Sequence, residues 1–253
     1  MYKYSILMYN FNNYEILRDP IEIDPECEYI YVTDNPNLKS DKWKIIIDKD
    51  LEGLSVFDKC YNVRFNLFKY ATTSVCIYLD GSIQIYKSLR KIYDDFIKSN
   101  CDIGLNIHPT RNNLIDEYRE WIRIRNYDQI QAQKCMLMFK IAEYDLQFKG
   151  LYQGTMRICK NTELNKNIDT FTLNTLKILG KENEIERLDQ TIYSFIINKF
   201  FNEIKIFGFS QQVFQSEYMR WCQHGSSYIH PYNKDNNKDG YILNKLSKLY
   251  HLV

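Results

Sequence analysis

The sequence predicts an α/β fold, with a mixed, mostly parallel sheet flanked by helices in a single domain. Three observations carry that expectation. Residues 75–79 (Val-Cys-Ile-Tyr-Leu) form a continuous apolar run, β-branched and aromatic, as a central strand covered on both faces requires. Through the first half of the chain, short runs of this kind alternate with stretches whose apolar residues recur at helical spacing. No internal repeat or low-complexity linker divides the 253 residues, so one domain over 1–253 is expected, with a core to about residue 210 and a tail over 211–253.

In chain order, strands are expected over 5–9, 28–33 and 43–47, the second closed by Asp34-Asn35-Pro36. Residues 57–72 carry Phe57, Cys60, Val63, Leu67, Phe68 and Ala71 on one helical face. The central strand follows, then a short alternation through Ile83 and Ile85, and a helix over 88–98 with Ser88 as its cap. A strand over 102–107 leads into a helix starting near Asn112 or Asn113 and running through Trp121. A second helix covers 130–144. Residues 150–154 (Gly-Leu-Tyr-Gln-Gly) read as a turn feeding a strand over 155–159. Helices over 168–179 and 188–200 precede a late strand over 203–207, and the chain is polar after Gly225.

The formal net charge of +1 gives no global field to draw in nucleic acid, so no nucleic-acid partner is expected. The seven cysteines are scattered without a CxxC pair, which points to a reducing compartment and a cytoplasmic protein. No apolar run reaches membrane-spanning length, and the first ten residues lack the long apolar region of a signal peptide. The 21 tyrosines accompany abundant Asn, Ile and Lys and read as a composition bias rather than a binding signal.

The residues with chemical potential fall at the ends of the expected elements. Asp80-Gly81-Ser82 closes the central strand, where open α/β sheets bind ligands; its plain alternative is a turn between strands. Asp34 ends a strand, or merely forms an Asx-turn before Pro36. Asn62, Arg64 and Lys69 lie on the helix before the central strand. Facing a pyrophosphate, Arg64 would offer a bidentate fork and Lys69 a point charge; otherwise they are a solvated face. His108 and Arg111, with Asp116 and Glu117 one to two turns on, would make a polar pocket past a strand, although a lone His there is more often structural. Asp189, before Gln190, is a helix cap or a carboxylate aimed into the cleft. His224 and His230 are six apart, which fits no zinc spacing. A single His completing a cation site begun at Asp80 is the other reading.

Ile30-Tyr-Val-Thr-Asp-Asn35, Asn62-Val-Arg64 with Lys69, and Ile77-Tyr-Leu-Asp-Gly-Ser-Ile83 occur in the order seen in GT-A glycosyltransferases. His108-Pro-Thr-Arg111, Gly150-Leu-Tyr-Gln-Gly154 and Asp189-Gln190 resemble one group within them, long catalogued as a domain of unknown function. That group includes plant mucilage-type proteins and bacterial proteins of surface polysaccharide synthesis, and the resemblance spans residues 5–197. It implies a Rossmann-type fold and a transferase that moves a sugar from a nucleotide-diphosphate sugar, a UDP-sugar by preference. The acceptor would be a glycan or a lipid-linked hydroxyl. Asp34, Asn62, Arg64, Lys69 and Asp80 would hold the nucleotide and diphosphate, and Gln153, Gly154 and Gln190 the sugar. Asp189 would lie nearest the reacting carbon, as base in an inverting transfer or as an orienting group in a retaining one. His108, Arg111 and Glu117 would lie near the sugar or acceptor.

A Mn²⁺ or Mg²⁺ cofactor would sit on Asp80, Ser82 and His224, with Ser82 in the position of a second carboxylate. The protein would be cytoplasmic, or peripheral at the inner face of the membrane. The competing readings are a non-catalytic sugar- or protein-binding module on the same fold, and a sugar nucleotidyltransferase. The latter normally carries a Gly-rich phosphate loop near the N-terminus, and residues 9–14 contain no glycine.

Overall fold

In the computed structural model, which describes residues 1–124, 129–183 and 189–222, three parallel strands begin the sheet. They are β1 (Tyr4–Asn10), β2 (Cys27–Thr33) and β3 (Lys44–Ile46). The central β4 (Val75–Leu79) pairs in parallel with β1. β6 (Ile103–Ile107) and β8 (Ile206–Phe209) share that direction, and β7 (Tyr152–Lys160) runs against both β4 and β6. The order is β3-β2-β1-β4-β7-β6-β8, a seven-stranded sheet with one antiparallel member. This is the expected α/β, mostly parallel architecture. Order reverses between β1 and β4, whose carboxyl ends bracket a crevice of the kind in which open α/β sheets bind ligands.

Every residue of β2 and β4 is buried, because both faces of the sheet are covered. On one face, Leu7, Cys76 and Tyr78 pack against α1 (Val56–Arg64), α4 (Leu114–Ile124), α5 (Gln129–Ile141), α6 (Glu163–Asn183) and α7 (Asp189–Phe200). On the other, Ile6, Met8, Ile77 and Leu79 meet Phe96 of α3 (Arg90–Lys98) and a small two-stranded sheet. That second sheet pairs β5 (Ile83–Ile85) with β9 (Met219–Trp221).

Four sequence expectations are corrected. The helix over 57–72 is two, α1 and the one-turn α2 (Leu67–Tyr70). The backbone leaves helical geometry at the α1 cap Phe65 (φ −106°, ψ 19°) and at Asn66 (φ −142°, ψ 46°), and the helix restarts at Leu67. The turn at 150–154 is largely strand, because β7 already begins at Tyr152. Ser88 stands one position before the α3 cap, Leu89, and its hydroxyl accepts from the Arg90 N–H at 3.2 Å. The stretch from 211 to 222, assigned to the tail, carries β9 and a 3-10 turn with the fully buried Phe214.

The six cysteines whose side chains are described are all free thiols. Among the described residues no helix is long and apolar enough to cross a membrane.

Phe96 anchors α3, fully buried with its ring edge-on to Phe207 at 6.0 Å. Phe96→Ala is expected to lower unfolding free energy in urea by about 3–5 kcal/mol, as loss of a core aromatic does. A loss under about 1 kcal/mol would show that α3 is not a structural part of that face.

Candidate functional site

Five side chains from four elements converge where the order reverses. Tyr9 comes from the end of β1, Tyr78 from β4 and Asp80 from the residue after β4. Arg64 is the last residue of α1, and Asp189 the first of α7. The Arg64 guanidinium joins them. Its Nη1 donates to Asp189 Oδ2. Its Nη2 donates to Asp80 Oδ1 at 3.0 Å, to the Tyr78 hydroxyl at 2.9 Å and to the Tyr9 hydroxyl at 3.0 Å. Tyr78 in turn donates to Asp80 Oδ1. The Arg64 Nε is buried with no hydrogen-bond partner among the described residues.

Two glycines make this closeness possible. A Cβ on Gly154 would lie 2.9 Å from Arg64 Nη1 and 3.3 Å from Asp189 Oδ2. A Cβ on Gly81 would lie 3.0 Å from the Tyr9 carbonyl oxygen. The Asp80-Gly81-Ser82 turn is gripped at each peptide. Asp80 N donates to Thr155 O at 2.9 Å, Arg18 Nη1 to Gly81 O at 2.9 Å, and Cys222 N to Ser82 O at 2.8 Å. Opposite it, the β6–β7 register slips between Leu105 and Asn106, which pair with Arg157 and Gln153. The resulting bulge turns Gln153, Gly154 and Thr155 into the crevice, a common use of bulges beside functional sites.

The crevice is a cleft of about 570 Å³ whose lining has two chemically distinct parts. One is aromatic and amide-lined, with Phe11, Asn12, Tyr14, Phe57 and Tyr61. The other is charged, with Arg64, Asp80, Arg111, Asp189 and Gln190. Counting Glu15, three carboxylates and two guanidiniums line it, a slight excess of negative charge.

Burial pushes the Tyr9 and Tyr78 hydroxyls well above the ordinary phenol range, against the pull of Arg64, so both stay protonated. Burial likewise pushes the Cys60 thiol up to about 11, with Arg64 opposing, so it is no thiolate nucleophile.

Of the residues expected from sequence, Arg64, Asp80, Ser82, Arg111, Gln153, Gly154, Asp189 and Gln190 line the cleft. Asp34 does not. Its carboxylate accepts from Lys59 Nζ and from the Asn12 N–H, each at 2.9 Å, and so supports the aromatic rim from behind. Asn62 bonds back to Asp58 O on its own helix. Lys69, on α2 beyond the break, pairs with Asp48 at 2.6 Å and Asp50 at 2.8 Å, away from the cleft. His224 lies outside the described residues. His108 and Glu117 stand behind Arg111, whose Nε lies 2.7 Å from a Glu117 oxygen and whose Nη2 lies 2.6 Å from His108 Nε2. Sequence reasoning missed Tyr9 and Tyr78, hidden in apolar runs. It also missed Arg18 and Glu15, a buried ion pair at 3.3 Å.

Among the described residues, no group of three or more His, Cys, Asp or Glu is arranged to hold a metal. The donor set nonetheless suits a cation shared with a ligand. Asp80 Oδ1 is engaged, but Oδ2 has no hydrogen-bond or ion-pair partner among the described residues, and Ser82 lies two residues on. Mg²⁺ binds in this way, through one or two carboxylates plus phosphate oxygens. No family model matches the chain, and no curated protein sequence matches it.

His108 tests the charge balance behind Arg111. Burial, reinforced by the Arg111 charge, pushes it down from 6.5 to about 3. The unfolded chain therefore takes up a proton that the folded chain refuses, and stability falls as pH drops below 6.5. The loss is expected to approach about 1.4 kcal/mol per pH unit between pH ~6 and ~5, above the carboxylate range. His108→Gln should lack that part of the slope in urea titrations. Parallel slopes for parent and variant would mean that His108 titrates normally.

Proposed function

We propose that this protein is a glycosyltransferase that binds a nucleotide-diphosphate sugar in the cleft between β1 and β4. The observation that carries the reading is Arg64, a half-buried guanidinium held at the switch point of the sheet between Asp80 and Asp189. A guanidinium fork suits two phosphate oxygens, and the ends of parallel strands are where α/β sheets receive such ligands. The aromatic part of the cleft, with Phe11 and Tyr61, offers flat surface to a nucleobase. Arg64 and Asp80 then meet the diphosphate, and Gln153, Gly154 and Gln190 border the sugar. Asn62 and Lys69 have no part in this account, and Asp34 acts through Asn12 and Lys59.

The charge of the cleft bears on the cofactor. A diphosphate brought against a surplus of carboxylate gains from a positive partner, and Asp80 Oδ2 with Ser82 would hold a Mg²⁺ or Mn²⁺ ion there. Such an ion, when bound, acts as a Lewis acid on the leaving phosphate. Asp189 holds Arg64 through Oδ2, while its Oδ1 has no partner among the described residues and remains for a sugar or acceptor hydroxyl. Arg111, braced by Glu117 and by Glu120 at 3.3 Å, gives the acceptor side a fixed donor.

Calorimetry with UDP, GDP and their sugars, with and without Mg²⁺, tests the proposal. One nucleotide diphosphate is expected to bind, more tightly with the cation, and at 100 Kd it should add about 2.7 kcal/mol of stability. Asp80→Asn should abolish the cation's benefit while leaving the protein folded. The proposal falls if no nucleotide diphosphate binds at millimolar concentration, or if Asp80→Asn keeps the full effect of the cation.

A further inference from the structure

Arg157 lies outside the charged part of the cleft, on β7, and is 4 % exposed. A buried guanidinium needs a partner for its charge and acceptors for its donors. Asp169 of α6 supplies the first through a two-armed pair, Nη1 to Oδ1 at 2.6 Å and Nη2 to Oδ2 at 3.0 Å. The guanidinium also rests against the rings of Phe65, at 5.0 Å, and Tyr193 of α7, at 5.1 Å. Its remaining contact is unusual: Nη2 donates at 2.5 Å to the main-chain carbonyl of Arg64.

That carbonyl belongs to the last turn of α1, where helix carbonyls lack intrahelical donors and where positive charge is favoured. Arg157 therefore caps α1 from a neighbouring strand. The break at Phe65 frees the carbonyl, and Phe65 itself packs against the same guanidinium. Three residues earlier on β7, Gly154 leaves the space that the Arg64 head group occupies. One strand thus fixes both ends of Arg64, the main chain through Arg157 and the head group through the bare Gly154.

We propose that Arg157 is a positioning residue: it touches no ligand, but sets where the Arg64 guanidinium meets the diphosphate. The inference rests on the functional reading above for the ligand, and on geometry alone for the coupling between the two arginines. It explains why a charged residue is kept in a strand whose buried neighbours are Met156, Ile158 and Cys159.

A double-variant cycle tests it. UDP affinity in the presence of Mg²⁺ is measured by calorimetry for the parent, Arg157→Lys, Arg64→Ala and the double variant. Lysine keeps the charge but has no planar fork to hold Asp169 and the Arg64 carbonyl together. Arg157→Lys is expected to weaken UDP binding by about tenfold in the parent, within the range for residues in contact, and to have no further effect beside Arg64→Ala. Equal losses in both backgrounds, or an unchanged affinity in a folded Arg157→Lys, would overturn the proposal.

The Arg64 Nε–Hε resonance, read by NMR without ligand, separates this inference from the functional one. It should shift in Arg157→Lys even if the parent binds no nucleotide, and an unmoved resonance would refute the coupling. Should Arg157→Lys fail to fold, Asp169→Asn serves for both readouts. It removes the charge that holds the fork while keeping the side chain's size, and it should reproduce the tenfold loss and the resonance shift. An unmoved resonance or, where the parent binds UDP, an unchanged affinity overturns the proposal.

Discussion

The cleft depends on one interaction, the grip of Arg64 on Asp80 and Asp189 together. The two carboxylates stand on elements far apart in the chain, the end of β4 and the start of α7, and Arg64 sits at the end of α1. Without the guanidinium, two carboxylates with 32 % and 15 % exposed side chains would face each other across the cleft, and like charges at such a site disfavour one another. With it, three elements are pinned to the switch point of the sheet. The tyrosine hydroxyls of β1 and β4 then accept from the same Nη2 that holds Asp80, and two glycines clear the space.

The grip also explains the cleft's electrostatic character. Each guanidinium lining it is already answered by carboxylate, Arg64 by Asp80 and Asp189, Arg111 by Glu117 and Glu120. The charged part is therefore a nearly neutral, slightly acidic surface rather than a basic funnel. An anionic ligand is expected to arrive with its own cation, to displace part of the internal pairing, or both. Solvent-exposed basic residues such as Lys69 do not change this, because Lys69 is committed to Asp48 and Asp50 on the far side of the helix break.

Much of the sheet was legible because its strands are buried on both faces, so that 75–79 reads as an unbroken apolar run and 28–33 carries one over 29–32. The helix break was not, since the helical spacing of apolar residues runs on across it through Val63, Leu67 and Ala71. Nor was the start of β7: Gly154 reads as a turn residue, whereas its role is to make room for Arg64. β9 has only three residues, too few for its alternation to stand out, and its partner β5 is 134 to 138 positions away in register, too remote for a local pattern.

In the site, Arg64, Asp80 and Asp189 could be singled out by residue type and by position at element ends. That they meet could not, because Arg64 and Asp189 are 125 residues apart. Tyr9 and Tyr78 were lost among 21 tyrosines, and Arg157 was hidden in a strand that otherwise reads as apolar.

The central claim is that Arg64, at the meeting of β1 and β4, receives a diphosphate. A crystal structure of the protein soaked with UDP and Mg²⁺ tests it most directly. The account predicts a diphosphate within hydrogen-bonding distance of the Arg64 guanidinium, the cation against Asp80, and the base over the part of the cleft lined by Phe11 and Tyr61. A diphosphate held elsewhere, for instance by Lys69 on the opposite side of the helix break, would contradict it.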